Sequence, residues 1–354
     1  MTMRPFALVA IAASLVLLTV QPASAGEHKH KLSWQLQSSG TTAQLRGLDP
    51  VDHRVAWASG SAGTVLRTVD GGKTWQNVSP KGHGTEELEF RDIEAFDAKR
   101  AVILSIGNGP DSRIYRTSDG GKTWKESFRN DVQAAFYDCL AFSDSKHGLA
   151  LSDPVDGKFR IASTKDGGRS WKVNDPKRMP AALEGEFAFA ASGTCLVAGR
   201  GGHAWFATGG GAQTRVFRSS DGGRSWKVTA TPFVAGPSAG IYSLAFKNSR
   251  EGIAVGGDYN AATATDRIAA VTKDGGKTWK LAKDNPGGYR SGSTWVSWSP
   301  VALAVGPTGS DISTDRGRSW REFDTGSFDA VQCTKYATCW ASGEKGRIGK
   351  LSLK

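Results

Sequence analysis

Glycoside hydrolysis needs two carboxyl groups at a controlled separation, one of them kept protonated. Isolated acids that could serve are Asp92, Asp138, Asp153, Asp156, Glu184, Glu186 and Asp258. In the same stretches stand residues that recognise ligands through charge, aromatic stacking or hydrogen bonding: Arg91, Tyr137, His203, Trp205, Tyr259, Tyr289 and Arg290. Redox chemistry finds no support, because no Gly-x-Gly-x-x-Gly joins a strand to a helix, no Cys-x-x-Cys-His occurs and no metal ligands cluster. No cofactor is expected. A single exception concerns the amino terminus: cleavage after Ala25 would leave Gly26-Glu27-His28, and a free amine with His28 in third position suits square-planar Cu(II). A solvated polar tail is the simpler reading.

The most conspicuous acids lie elsewhere. An eight-residue string recurs six times: TVDGGKTW from Thr68, TSDGGKTW from Thr117, TKDGGRSW from Thr164, SSDGGRSW from Ser219, TKDGGKTW from Thr272 and STDRGRSW from Ser313. An acidic turn could hold a cation, but the same position in every copy points to structure. Glycines take positive φ freely, and an Asp carboxylate accepts backbone N–H bonds, so each string reads as a stapled turn. Asp70, Asp119, Asp166, Asp221, Asp274 and Asp315 are the staples. Trp75, Trp124, Trp171, Trp226, Trp279 and Trp320 start the following strands and bury large rings between sheets.

Around each string the chain alternates in β fashion, as in VAWASG and TVLRTVD before the first. One unit therefore reads strand, strand, strand, turn, strand, which is a four-stranded propeller blade. The staple aspartates stand 41 to 55 residues apart, and their mean spacing of 49 fits seven units into residues 26–354. The seventh comes from both ends: CWASGEKGRIGKLS near the carboxyl terminus echoes AWASGSAGTVLRTV, and LSWQLQ at Leu32–Gln37 echoes the strand after a turn. The expected fold is all-β, a seven-bladed β-propeller of four-stranded blades, its ring closed by the N-terminal strand pairing into the last blade.

Arg4, the apolar run Phe6–Val20 and Ala23-Ser24-Ala25 read as a cleaved secretory signal over residues 1–25, with a single propeller domain over 26–354. No later segment is apolar for long enough to span a bilayer. The expected location is therefore secreted or periplasmic. The formal charge is +11, and loss of Arg4 leaves +10, which favours anionic envelope surfaces or an acidic protein; no basic run marks a nucleic-acid partner. The single ring is expected to be a monomer. An oxidising compartment permits disulfides. Cys333 and Cys339 flank a hairpin-like turn and are expected to bond, whereas Cys139 and Cys195 read equally as a second bridge or as buried free thiols.

The repeated strings resemble the Asp-box, or bacterial neuraminidase repeat, superfamily over essentially the whole mature chain. With seven blades and the segments RDIEAF, SDPVDGKF, FAASGT, GGDYN and GGYRS, the chain is similar to bacterial WD40/YVTN/BNR-like proteins related to the photosystem II assembly and stability factor. That resemblance implies a non-catalytic scaffold acting through a propeller face, with a protein, anionic or glycan partner. The alternative is a sialidase- or xyloglucanase-like glycoside hydrolase. Against sialidase chemistry, Phe159-Arg160-Ile161-Ala162 lacks the Pro of the Arg-Ile-Pro motif. The functional face is expected on the loops between second and third strands and on the blade-to-blade connectors, with GRGGHAWFATGGGAQT, residues 199–214, as one long loop of that face.

Overall fold

A computed structural model describes residues 32–353 apart from 83 and 298. The signal segment and His28 lie outside the described residues. Among the described residues, no helix is long and apolar enough to cross a membrane.

Seven antiparallel four-stranded sheets follow one another along the chain. Blade 1 holds β2 (Leu45–Pro50), β3 (Ala56–Gly60), β4 (Val65–Thr68) and β5 (Gln76–Asn77); β1 (Leu32–Gln37) belongs elsewhere. Blade 2 holds β6 (Glu89–Ala95), β7 (Ala101–Ile106), β8 (Arg113–Thr117) and β9 (Lys125–Arg129). Blade 3 holds β10 (Tyr137–Phe142), β11 (Gly148–Val155), β12 (Lys158–Thr164) and β13 (Lys172–Val173). In blade 4 the strands are β14 (Leu196–Ala198), β15 (Ala204–Ala207), β16 (Arg215–Ser219) and β17 (Lys227–Ala230). Blade 5 comprises β18 (Ala239–Phe246), β19 (Gly252–Asp258), β20 (Ala269–Thr272) and β21 (Lys280–Leu281). Blade 6 comprises β22 (Gly292–Trp295), β23 (Ala302–Gly306), β24 (Gly309–Ser313) and β25 (Arg321–Asp324).

Blade 7 is built from both ends of the chain. Its strands β26 (Ala330–Cys333), β27 (Cys339–Ser342) and β28 (Ile348–Leu353) are completed by β1, which pairs Leu32 with Leu353 and Gln37 with Ile348. This closure leaves the ring without a seam of unpaired backbone. Trp34 locks it: the ring packs on Phe328 at 5.4 Å and its Nε1 donates to Ser310 Oγ of blade 6 at 2.9 Å. The first strands of successive blades touch all the way round, β2 to β6, β10, β14, β18, β22, β26 and back to β2, so they wall a central channel.

The six repeated strings join third to fourth strands and fold alike. In the first, Thr74 Oγ1 donates to Asp70 Oδ2 at 2.6 Å, Thr74 N and Thr68 Oγ1 donate to Oδ1 at 3.0 and 2.8 Å, and Gly72 N donates to Thr68 Oγ1 at 2.9 Å. Asp119 repeats these bonds with Thr117 and Thr123 within about 0.1 Å. Gly71 and Gly72 sit at φ of 81° and 85°, the region that favours glycine. Arg316 stands in the first of these positions in the sixth string and adopts φ 70° all the same.

One expectation needs correction, and one open alternative is decided. Residues 199–214 are not one loop: Ala204–Ala207 form β15, with Trp205 and Phe206 buried on opposite faces, and the flanking glycines mask the strand in the sequence. The thiols of Cys139 and Cys195 are not free; they are bonded to each other, joining the inner edges of blades 3 and 4. Cys333 and Cys339, paired across β26 and β27, are bonded as well.

Candidate functional site

A regular inner strand would turn alternate side chains into the channel. Four of these strands carry a bulge at the same height. The pairing of first with second strand skips one residue between Leu45 and Gly47, Phe90 and Asp92, Tyr137 and Cys139, and Ile241 and Ser243. The skipped residues are Arg46, Arg91, Asp138 and Tyr242. A bulge re-aims the side chain at which it forms; here Arg46 and Arg91 are partly exposed at the connector-side mouth of the channel, while Asp138 and Tyr242 are buried beside them.

The groups converge from across the ring. Arg46 of blade 1 lies 3.8 Å from Asp329 of blade 7, whose second oxygen accepts Gln44 Nε2 at 3.0 Å. Arg91 Nη1 donates to the carbonyl of Ala190 at 3.0 Å, tying blade 2 to the connector between blades 3 and 4. Arg91 feels the charges of Arg46, Asp329 and Asp138, and Tyr289 feels those of Arg46, Asp329 and Arg91. Beside them lies an aromatic floor. Phe189 stacks on Tyr242 at 4.0 Å, and Tyr289 and Tyr259 meet Tyr242 edge-on at 4.7 and 6.3 Å. Tyr259 is 52% and Phe187 45% exposed, so the floor continues onto the open face.

Below the mouth the channel is polar. A chain of hydroxyls joins three blades: Ser192 to Thr194 at 2.7 Å, Thr194 to Ser243 at 2.7 Å and Ser243 to Ser293 at 2.8 Å. Further down, a cavity of about 390 Å3 takes residues from all seven blades, including Asp49, Asp92 and Glu94. Each of these carboxyls accepts backbone N–H from the next blade, Asp49 from Ala95 at 2.6 Å, Asp92 from Leu140 at 2.6 Å and Glu94 from Phe142 at 3.2 Å. Burial drives Asp92 and Glu94 well above the usual carboxylate range and Asp49 up to about 7. Gly193 is required here, since a Cβ would stand 2.3 Å from Asp92 Oδ1.

The sequence candidates separate into three groups. Arg91, Asp138, Tyr259 and Tyr289 gather at the mouth, with Asp153 near Asp138; Asp138 is buried with Oδ2 unpartnered, and burial pushes Asp153 up to about 7 while it accepts Ala188 N at 2.8 Å. A second group is structural. Tyr137 is buried against Phe128 at 5.1 Å, and Arg290 is wholly buried, its Nε donating to Asp311 Oδ2 at 2.6 Å and its Nη1 to Thr308 Oγ1 at 2.7 Å. Asp92 joins them as an inter-blade acceptor. Asp258 caps a short turn, taking Ser238 Oγ at 2.7 Å and Asn260 N at 2.9 Å. Asp156 forms the exposed tip of the β11–β12 hairpin with φ 51°.

His203 and Trp205 form the third group and lie toward the opposite face, because β15 interrupts the expected loop. Trp205 is buried, stacked on Phe246 at 3.9 Å, and the His203 ring lies nearly parallel to it at 5.7 Å. Sequence reasoning missed Arg46, Tyr242, Asp329, Asp49 and Glu94. A signal existed: aligned on the short loop that ends each inner strand, Arg46, Arg91, Asp138, Tyr242 and Asp329 share one position. Among the described residues, no group of three or more His, Cys, Asp or Glu side chains is placed to hold a metal ion.

Solved structures share this architecture, three of them as follows. YCF48 bound to D1 peptide superposes with a TM-score of 0.66 at 15% identity, over 91% of this chain and 95% of that chain. YCF48 from Cyanidioschyzon merolae gives 0.63 at 19% identity, over 90% and 98%. The WD40 β-propeller domain of Doa1 gives 0.60 at 12%, over 91% and 97%. At these identities the likeness establishes the fold. No family model and no curated protein matches the chain.

Proposed function

We propose that this chain is an exported, non-catalytic binding propeller of the Asp-box type that holds a protein segment at the connector-side mouth of its channel. The observation that carries this is the set of inner-strand bulges at one height around the ring, where Arg46 and Arg91 are partly exposed next to the buried Asp138 and Tyr242. Arginines half-released from Asp329 and Glu89, at 3.8 Å each, suit carboxylates and backbone carbonyls of an extended chain. The exposed rings of Tyr259 and Phe187 supply apolar anchors next to them. Two disulfides fit an oxidising compartment, and the fold likeness to a propeller bound to a peptide supports a peptide ligand.

Selection from a displayed random-peptide library tests this. The wild-type chain is expected to enrich peptides that an Arg46→Ala/Arg91→Ala/Tyr259→Ala variant loses. Peptides retained equally by both, or none recovered, would sink the proposal. A second reading is kept by one observation: Asp138 and Asp153 are neighbouring acids that hold protons unusually tightly, as a glycosidase acid must. Turnover of a glycan panel that Asp153→Asn abolishes would favour that reading over the first.

A further inference from the structure

On the face of the repeated turns, the third strand of several blades carries a basic residue beside the seam to the next blade. In blade 1 it is Arg67, and its terminal nitrogens are both engaged. The guanidinium lies over the Trp57 ring at 5.5 Å, Nη1 donates to the carbonyl of Ala98 in blade 2 at 2.9 Å, and Nη2 donates to Gln76 Oε1 at 2.8 Å. Gln76 stands directly opposite Arg67 on the fourth strand. In blade 4, Arg218 Nη1 donates to Thr229 Oγ1 at 2.8 Å, and in blade 7, Lys350 Nζ donates to the carbonyl of His53 at 3.1 Å.

Blade 2 departs from this arrangement. Its basic residue is Arg116, whose Nε donates to the carbonyl of Gly167 in blade 3 at 3.1 Å, and among the described residues its guanidinium makes no other hydrogen bond. Val102 stands where blade 1 has Trp57, and Lys125 stands where blade 1 has Gln76. Residues directly opposite in an antiparallel pair share one face of the sheet. Arg116 therefore meets a second cation in place of an acceptor, and both of its Nη atoms are left without a partner.

At this place the seam between blades 2 and 3 holds a pocket of about 140 Å3, lined by Arg116, by Arg100 and Lys146 of the two inner hairpins and by Arg169 of the third repeated turn. Among the described residues, Arg116, Lys125, Lys146 and Arg169 form no ion pair. Arg100 is paired with Asp97 at 2.7 Å. One acid lines the pocket, Asp166, and its oxygens already accept Thr164 Oγ1, Arg169 N, Ser170 N and Ser170 Oγ of its own turn. Four lining cations, set against Asp166 and Asp97, leave two positive charges uncompensated. The crowding is felt at Arg116: burial, and then the charges of Arg169 and Arg100, hold it below the ordinary arginine range, with Asp166 opposing them.

The pocket is smaller than the roughly 300–1,000 Å3 of a small-molecule site, so it takes one group and not a whole ligand. A phosphate monoester carries about −1.5 to −2 charges near pH 7 and three strong acceptor oxygens. That matches the uncompensated charge and the forked donors of guanidinium groups, whereas a carboxylate or a phosphodiester brings a single charge. We propose that the seam between blades 2 and 3 is a binding site, separate from the channel mouth, for the terminal phosphate of a phosphomonoester. Titration calorimetry on the purified chain in physiological salt tests this with two pairs of probes: glucose 6-phosphate against the diester dimethyl phosphate, and phosphatidic acid vesicles against phosphatidylglycerol vesicles. At least one monoester is expected to bind about ten-fold or more tighter than its diester. Binding of glucose 6-phosphate names a free phosphoester, and binding of phosphatidic acid vesicles alone names a lipid headgroup.

Arg116→Ala/Arg169→Ala should weaken that binding about ten-fold, as should Lys125→Glu, which sets a carboxylate opposite Arg116. Lys277→Glu, the same charge change at the turn tip of blade 5, should bind as wild type does. Monoesters that bind no tighter than their diesters, no binding of any probe, or binding undiminished in Lys125→Glu overturns the proposal. So does an equal loss in Lys125→Glu and Lys277→Glu, which would mean non-specific attraction to a basic face. Near-UV circular dichroism checks that each variant is folded, and if Arg116→Ala/Arg169→Ala is not, Lys125→Glu set against Lys277→Glu decides.

Discussion

The aspartates of the repeated turns and the acids of the interior are the same chemical group under opposite conditions. Asp70 and Asp119 are half-exposed at the turns, and each accepts two hydroxyls and a backbone amide; the Thr74 and Thr123 donors hold them below the usual range, Asp119 at about 2. Asp49 and Glu94 each accept one backbone N–H in the channel wall, surrounded by the packed inner strands, and burial pushes both upward. A carboxylate ringed by donors in water is a strong acid and a rigid staple. One with a single donor deep in the channel wall holds its proton more tightly than it would in water. The acids most visible in the sequence are thus the least available for chemistry.

The contrast can be broken from either side. The largest effect is expected at Arg290, since Arg290→Ala leaves the buried carboxylate of Asp311 unpaired and should cost about 3–5 kcal/mol in urea unfolding. Arg91→Ala, removing a long and half-exposed ion pair with Glu89, should stay within about 1 kcal/mol while reducing peptide capture. Asp92→Ala strands the Leu140 N–H and should cost about 1–3 kcal/mol. Asp92→Asn keeps an acceptor and resembles the protonated acid, so it should lose clearly less; equal losses would contradict a protonated Asp92.

A pH profile sharpens the comparison further. Asp49 and Asp153 bind protons more tightly folded than unfolded, so their contribution is complete below the ordinary value of about 4 and is lost as pH rises through about 7. The turn aspartates run the other way: their contribution is present above about 4 and is lost as pH falls toward about 2. Melting temperature should therefore peak near pH 4–5 and decline toward pH 8, with Asp49→Asn flattening the decline. A steady rise to pH 8 would remove the distinction between the two sets. The smallest effect is expected at a single staple, where Asp274→Ala should cost about 1 kcal/mol by the logic of a lost cap.

The ring itself was legible because its signals are local. A turn that needs glycine at positive φ, an acid two residues from a hydroxyl and a tryptophan at the next strand recur with the chain's own period, and β1 carries its Trp34 openly. The mouth was only half legible. Arg91, Asp138, Tyr259 and Tyr289 were found because they are polar or aromatic residues in connectors or beside turns. Arg46 and Tyr242 were missed because they lie inside apolar strand patterns, where only the bulge reveals that they leave the sheet. Arg290 and Tyr137 read the same way in sequence and are buried, because burial depends on what packs against a residue and not on its type.

What the sequence determined alone was the repeating unit, the number of blades and the place where the ring closes, since each stems from turn chemistry and spacing within about fifty residues. What the tertiary structure decided was which acids are pushed toward holding their protons and which arginines stand partly exposed at the channel mouth. Those properties arise between blades: Asp92 answers to Leu140, Arg46 to Asp329, and Arg67 and Arg116 to carbonyls of the neighbouring blade. Such contacts join residues dozens to hundreds of positions apart, and no local pattern in the chain encodes the distance between them.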